Sequence, residues 1–346
     1  MRLADYDLTQ RQVAERRFST TLTVQFEFAR IRSMNGRTVA RAVTIAAAIT
    51  ATGCAGRNTP SDDHASHSAE PVGTASAASA QRAAFPPSAA GAAARVSSTP
   101  RRNEWATIRT GPSDSVAAWI VYPQRTTKAP VVIVIHEIFG LSMWVRSVAD
   151  QLAADGFIAI APDLLTMKRG GGGGGGDLRT ELPGDSARKL IATLNRDDAQ
   201  RYLDAVAKFG MALPAAVPKY GVVGYCWGGA ASFAHAVHAP ALGAAVVYYG
   251  TSPPTEQLVS LRAPVLGLYG GNDARVNATI PPADSALKAL NRTFEPHIFA
   301  GAGHGFLRAQ DDSTAGSNPA IRQANAAATR EAWPLTVAWF RKHLGA

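Results

Sequence analysis

The 346-residue sequence predicts an α/β domain whose central sheet is mostly parallel and flanked by helices. Three observations carry that expectation. Strand-length apolar runs alternate with helix-length stretches from about residue 104 onward. The run Pro130–Ile135 is apolar without interruption, as suits a strand buried on both faces. The residues with chemical potential stand just after apolar runs, at the carboxyl side of the sheet where sites form in such folds.

Taken in order, Trp105–Thr110 and Val116–Tyr122 alternate in polarity and predict an antiparallel edge hairpin turned by residues 111–114. Pro130–Ile135 is the first fully buried strand, followed by a helix over Met143–Ala154 and a strand over Phe157–Ala161. A single long helix is expected over Ser186–Phe209, then strand Tyr220–Tyr225, helix Trp227–Val237, and strands Gly243–Tyr249 and Val265–Tyr269. A helix over Ala283–Leu290 opens next to Pro281 and Pro282, a position where proline is tolerated. Strand Thr293–Phe299 and a closing helix over Ala320–Leu344 complete the pattern. The seven glycines Gly170–Gly176 have no side chains with which to pack and no Gly-Lys-Ser/Thr after them. They read as a tolerated surface expansion rather than a moving lid or a phosphate loop.

The first hundred residues have a different character. Residues 1–33 show no clear period and are expected to be a non-native extension ahead of Met34, the expected start. From there Arg37 and Arg41, the apolar run Ala42–Ala51 and the small residues before Cys54 form the three parts of an export signal over residues 34–54. The apolar run is too short to span a bilayer, which takes about 20 residues. A cysteine directly after small residues is the pattern of a bacterial lipoprotein signal, so Cys54 is expected to carry lipid. Residues 55–100, rich in Ala, Ser and Pro, are expected to be a disordered tether to a catalytic domain over 101–346. The protein is thus expected outside the cytoplasm, periplasmic or held to the membrane by the lipid alone.

The net charge of +9 does not mark a nucleic-acid protein. Residues 101–346 hold 24 basic and 19 acidic residues, scattered without a basic stripe. The only two cysteines, Cys54 and Cys226, lie in different regions, and no metal-ligand spacing is present. His64 and His67 have no further ligands beside them, and no metal or organic cofactor is expected.

The strongest local pattern is Gly224-Tyr225-Cys226-Trp227-Gly228-Gly229 between an apolar strand and an Ala-rich helix. This is the context of a nucleophile elbow, with cysteine where Gly-x-Ser-x-Gly has serine. Glycines flank the turn because larger residues would strike neighbouring backbone. The nucleophile would sit at a helix N-terminus, whose free N–H groups favour a thiolate and a developing oxyanion. Asp273 follows the strand ending in Leu268-Tyr269-Gly270-Gly271, and His304 stands in the glycine-rich loop after the next strand. Nucleophile, acid and histidine in that chain order make a catalytic triad of the α/β-hydrolase type.

With these motifs, and with His136-Glu137-Ile138-Phe139-Gly140-Leu141 after the first buried strand, the sequence resembles the dienelactone hydrolase family over about residues 104–344. The resemblance implies that Glu137 holds the resting thiol of Cys226 and swings away when substrate arrives. It implies that the backbone N–H groups of Ile138 and Trp227 form the oxyanion hole. Arg308 takes the position of an arginine that faces the substrate carboxylate. A second family arginine lies in the region of the glycine run and the following helix, where Arg179 and Arg188 are both open and neither is assigned. The implied substrate is a small ester or lactone, cleaved through a Cys226 acyl-thioenzyme by a monomer. A broad carboxylesterase is the sibling reading. A tethered binding protein without turnover is the reading of another class, opposed by the joint presence of Cys226, Asp273, His304 and Glu137.

Overall fold

The computed structural model describes residues 84–169, 179–311 and 318–345, all within one unit spanning Ala69–Ala346. The expected extension, the export signal with Cys54, most of the tether and the Gly170–Gly176 run lie outside the described residues.

One eight-stranded sheet organises the described residues, in the order β1-β2-β4-β3-β5-β6-β7-β8. β1 (Asn103–Arg109) and β2 (Ser115–Val121) form the expected hairpin, with Asn103 opposite Val121. β2 also runs antiparallel to β4 (Ile158–Pro162). All later pairings are parallel, through β3 (Ala129–Ile135), β5 (Ala216–Tyr225), β6 (Ala244–Tyr248), β7 (Val265–Gly270) and β8 (Phe294–Phe299).

The period of two in a strand distributes the apolar residues over two cores. Val131, Ile133, Ile135, Val222 and Val247 face one layer, shared with α4 (Arg196–Met211) and α5 (Trp227–His238). Val132, Val134, Val223, Val246 and Leu268 face the other, shared with α2 (Met143–Ala154) and the closing helix α8 (Pro319–Leu344). Every residue of β3 is buried, which explains why its run is apolar without alternation.

The long helix expected over 186–209 is two helices, α3 (Gly184–Ile191) and α4. The break is a capping event: the side chain of Asn195 accepts the Asp198 N–H at 2.7 Å and starts α4 afresh. Smaller helices, α6 (Ala274–Asn277) and α7 (Ile280–Ala289), follow β7.

The tether does not extend to residue 100. Residues 84–100 belong to the fold and include a short helix, α1 (Ala92–Ser97). Arg95, Thr99 and Arg101 converge on the buried Asp150 of α2, with Arg101 bidentate at 2.7 and 2.8 Å. Burial pushes the Asp150 carboxyl up, but hydrogen bonds from Arg101, Thr99 and Arg95 outweigh it and hold the group below the usual range. The segment has too little apolar surface to build its own core, yet it needs none. Charge-assisted hydrogen bonds to an already folded surface order it.

Candidate active site

The elbow forms as the sequence predicts, and its strain is visible. Cys226 caps α5 with φ 58° and ψ −115°, a conformation costly to a residue with a side chain. The turn survives because its neighbours are glycines. A Cβ on Gly224 would lie 1.8 Å from the Gly228 carbonyl oxygen, and one on Gly228 would lie 2.3 Å from that of Ile135. The Cys226 N–H donates to the Tyr248 carbonyl at 3.1 Å, tying the elbow to β6.

Asp273 and His304 come together from the ends of β7 and β8. Asp273 Oδ2 and His304 Nδ1 are 2.5 Å apart, leaving the other ring nitrogen for chemistry. The Asp273 side chain is nearly buried and also accepts the Val276 N–H, while a third of the His304 side chain is exposed. Tyr249 packs its ring edge-on against His304, with centroids 5.2 Å apart, from a strained backbone of φ 40°.

Electrostatics keep Cys226 a thiol. Burial pushes the Cys226 thiol up and the negative charge of Glu137 adds to that; the Trp227 N–H on the sulfur pulls the other way without winning. The expectation that the helix N-terminus would favour thiolate therefore holds in direction but is outweighed in the free protein. Glu137, 3 % exposed at the end of β3, is itself pushed up to about 7 by burial, with Arg308 opposing. Its Oε2 lies 3.2 Å from Arg308 Nε, an ion pair without the alignment of a hydrogen bond.

With this geometry in place, the sequence profile of the dienelactone hydrolase family matches residues 116–344. The chain belongs to the dienelactone hydrolase family. It is a hydrolase, 31 % identical over 282 residues to a putative carboxymethylenebutenolidase of Escherichia coli (strain K12), covering 78 % of this chain and 98 % of that protein. With 78 % of the chain inside that match, residues 84–101 fall within it wherever its ends lie. The carboxymethylenebutenolidase of Pseudomonas putida is 29 % identical, over 56 % of this chain and 81 % of its own. Among solved structures, a putative dienelactone hydrolase from Klebsiella pneumoniae superposes with a TM-score of 0.57 at 28 % identity, covering 70 % of this chain and all of that one.

Two features of this family member were not legible in its motifs. His136 is fully buried, and burial holds its pKa low, so it is neutral. Its Nε2 accepts the Leu164 N–H at 3.2 Å, so Nδ1 carries the proton and donates to the Glu137 carbonyl at 2.7 Å. That carbonyl shares a peptide plane with the Ile138 N–H, so the bond sets the direction of one expected oxyanion donor. The same ring stacks on Trp227, the other expected donor residue, at 5.9 Å and 17°. The second feature is Phe139, whose ring lies 4.7 Å from the Arg308 guanidinium carbon and 5.1 Å from that of Arg188. Arg188, like Arg308, is thereby placed against the Phe139 ring. Arg179 contributes a carbonyl that accepts from Arg146 at 2.6 Å.

Among the described residues no group of three or more His, Cys, Asp or Glu is placed to hold a metal, and no helix is long and apolar enough to cross a membrane.

Proposed function

We propose that the protein hydrolyses a small carboxylate-bearing ester or lactone through an acyl-thioenzyme on Cys226. The observation that carries this reading is the strained Cys226 elbow, with the Trp227 N–H on its sulfur and Glu137 beside it. His304, oriented by Asp273, completes it. His304 takes the thiol proton as the sulfur attacks the carbonyl carbon, and the N–H groups of Ile138 and Trp227 receive the oxyanion. Collapse breaks the C–O bond, and the imidazolium protonates the leaving oxygen. A water then loses a proton to His304 and attacks the thioester; the thiolate leaves and recovers that proton as the acid is released. Glu137 guards the resting thiol, and a substrate carboxylate competes with it for Arg308, supported by Arg188.

The test is kcat/KM on a carboxylate-bearing dienelactone and on p-nitrophenyl acetate. We expect preference for the lactone, and a fall of about 10- to 100-fold for Arg308→Gln on the lactone alone, the worth of a charge-assisted pair. Preference for the acetate, unaffected by Arg308→Gln, would instead support a broad carboxylesterase. A groove of about 340 Å³ adjoins the elbow. It borders Trp227 and is lined by Ala230, Ala231, Ala234 and Pro254 together with the polar Arg196, Gln200 and Ser252; Cys226, Glu137 and Arg308 do not line it.

We further propose export and lipid anchoring through Cys54, motivated by the residue order of 34–54. In a bacterial host, Cys54→Ser is expected to move the protein from the membrane pellet to the soluble fraction; an unchanged distribution would remove the anchor.

A further inference from the structure

We propose that residues 84–101 act as a clasp that positions the loop carrying His304 and Arg308, and so belong to the substrate-binding apparatus. The clasp touches that loop directly. The Ala89 N–H donates to the Arg308 carbonyl at 3.0 Å, and Gln310 Nε2 donates to the Pro86 carbonyl at 2.9 Å. Phe85 packs against the buried cluster that contains Phe306 and Leu307.

A second line of contact runs to the nucleophile. The Trp144 indole donates to the Pro87 carbonyl at 3.1 Å, and the same ring packs edge-on against Tyr225, 4.9 Å away and one residue before Cys226. The far end of the clasp is pinned by Arg95, Thr99 and Arg101 on Asp150, which lies in α2 with Trp144.

The loop needs such support because residues 304–311 form neither strand nor helix. Its own backbone bonds are turn bonds, with the N–H groups of Arg308 and Ala309 both donating to the Gly305 carbonyl, and Gly305 has φ 76° with open space around it. A backbone held mainly by turns opens locally unless other segments tie it down. Asn325 of α8 holds Gly303 and the Ala309 carbonyl, and the clasp holds Arg308 and Gln310 between and beyond them. Fixing the Arg308 carbonyl fixes the root of the side chain that faces Glu137 and Phe139. The clasp is a positioning element, since it reaches substrate only through Arg308, while His304 keeps its own anchor on Asp273.

This inference rests on Arg308 as carboxylate anchor, and the experiment separates the two. In the full chain, Arg95→Gln with Arg101→Gln releases the far end without touching the loop. A second form replaces 84–101 by a Gly-Ser segment of equal length. Amide hydrogen exchange of residues 303–311 and kinetics on both substrates are measured. We expect exchange at least about 10-fold faster in both forms. KM for the carboxylate lactone should rise about 5- to 10-fold with kcat within about twofold, and KM for p-nitrophenyl acetate should stay unchanged. A merely stabilising segment would leave that split absent. Unchanged exchange and unchanged KM in a folded Gly-Ser form overturn the clasp; if that form does not fold, the arginine pair decides by the same readouts. Failure of the wild-type chain to hydrolyse either substrate would sink the functional reading, and exchange alone then decides the clasp.

Discussion

Cys226→Ala is expected to lower kcat/KM for ester hydrolysis by about 10⁴-fold or more, the scale on which removing a nucleophile acts when its partners remain. His304→Ala should cost a similar amount, and the double variant little more, because the two act as one unit. Steady-state rates on either substrate check this; a Cys226→Ala enzyme with wild-type rates would end the cysteine mechanism. The same position carries a stability signature. At φ 58° and ψ −115° the cysteine backbone is held in a region that glycine adopts freely. Cys226→Gly should therefore be inactive yet more stable than Cys226→Ala, by about 1–3 kcal/mol of relieved strain, measured by denaturant unfolding. Equal stability of the two would mean that the elbow is not strained.

Glu137→Gln should change both the thiol and the pH dependence of stability. Burial holds the Glu137 carboxyl at about 7, against a usual value of 4.5, so the folded chain binds the extra proton between these values. Stability from this group is fully present below pH 4.5 and is lost as pH rises through about 7. By pH 8 that loss is on the order of 3 kcal/mol, with the opposing Arg308 charge already contained in the value of about 7. Glutamine carries no charge, so the variant should be more stable than wild type at pH 8 by about 1–3 kcal/mol, with the difference gone near pH 4.5. Arg308 is exposed enough to hydrate when its partner is removed. Removing the negative charge should also lower the Cys226 thiol pKa and speed its alkylation by iodoacetamide at pH 7 by about 3- to 10-fold. Identical alkylation profiles would show that Glu137 does not govern the thiol.

These expectations draw unequally on sequence and structure. The strand order along the chain, the elbow at Cys226, and the succession of Asp273 and His304 were readable because each depends on neighbours in sequence. Apolar periodicity reports which faces are buried, and a strand–turn–helix with flanking glycines reports a strained turn. The break between α3 and α4 was missed because an apolar period of 3.6 continues across Asn195, and only the cap itself marks the interruption. Composition likewise argued for a tether up to residue 100, since an Ala/Ser/Pro segment cannot make a core of its own.

What the sequence by itself determined was the resemblance to the family, the sheet and the chain order of the candidate reacting groups. The tertiary structure alone decided their state and their surroundings. It placed Asp150 under Arg95, Thr99 and Arg101, Arg188 and Arg308 each against the Phe139 ring, and His136 behind the Ile138 peptide. It also decided that Cys226 rests as a thiol and that the Glu137 carboxyl titrates at about 7 rather than in the usual carboxylate range. The physical reason is common to all of these. Backbone conformation follows from short-range sterics and local capping, whereas ionisation and positioning follow from burial and from charges far away in the chain.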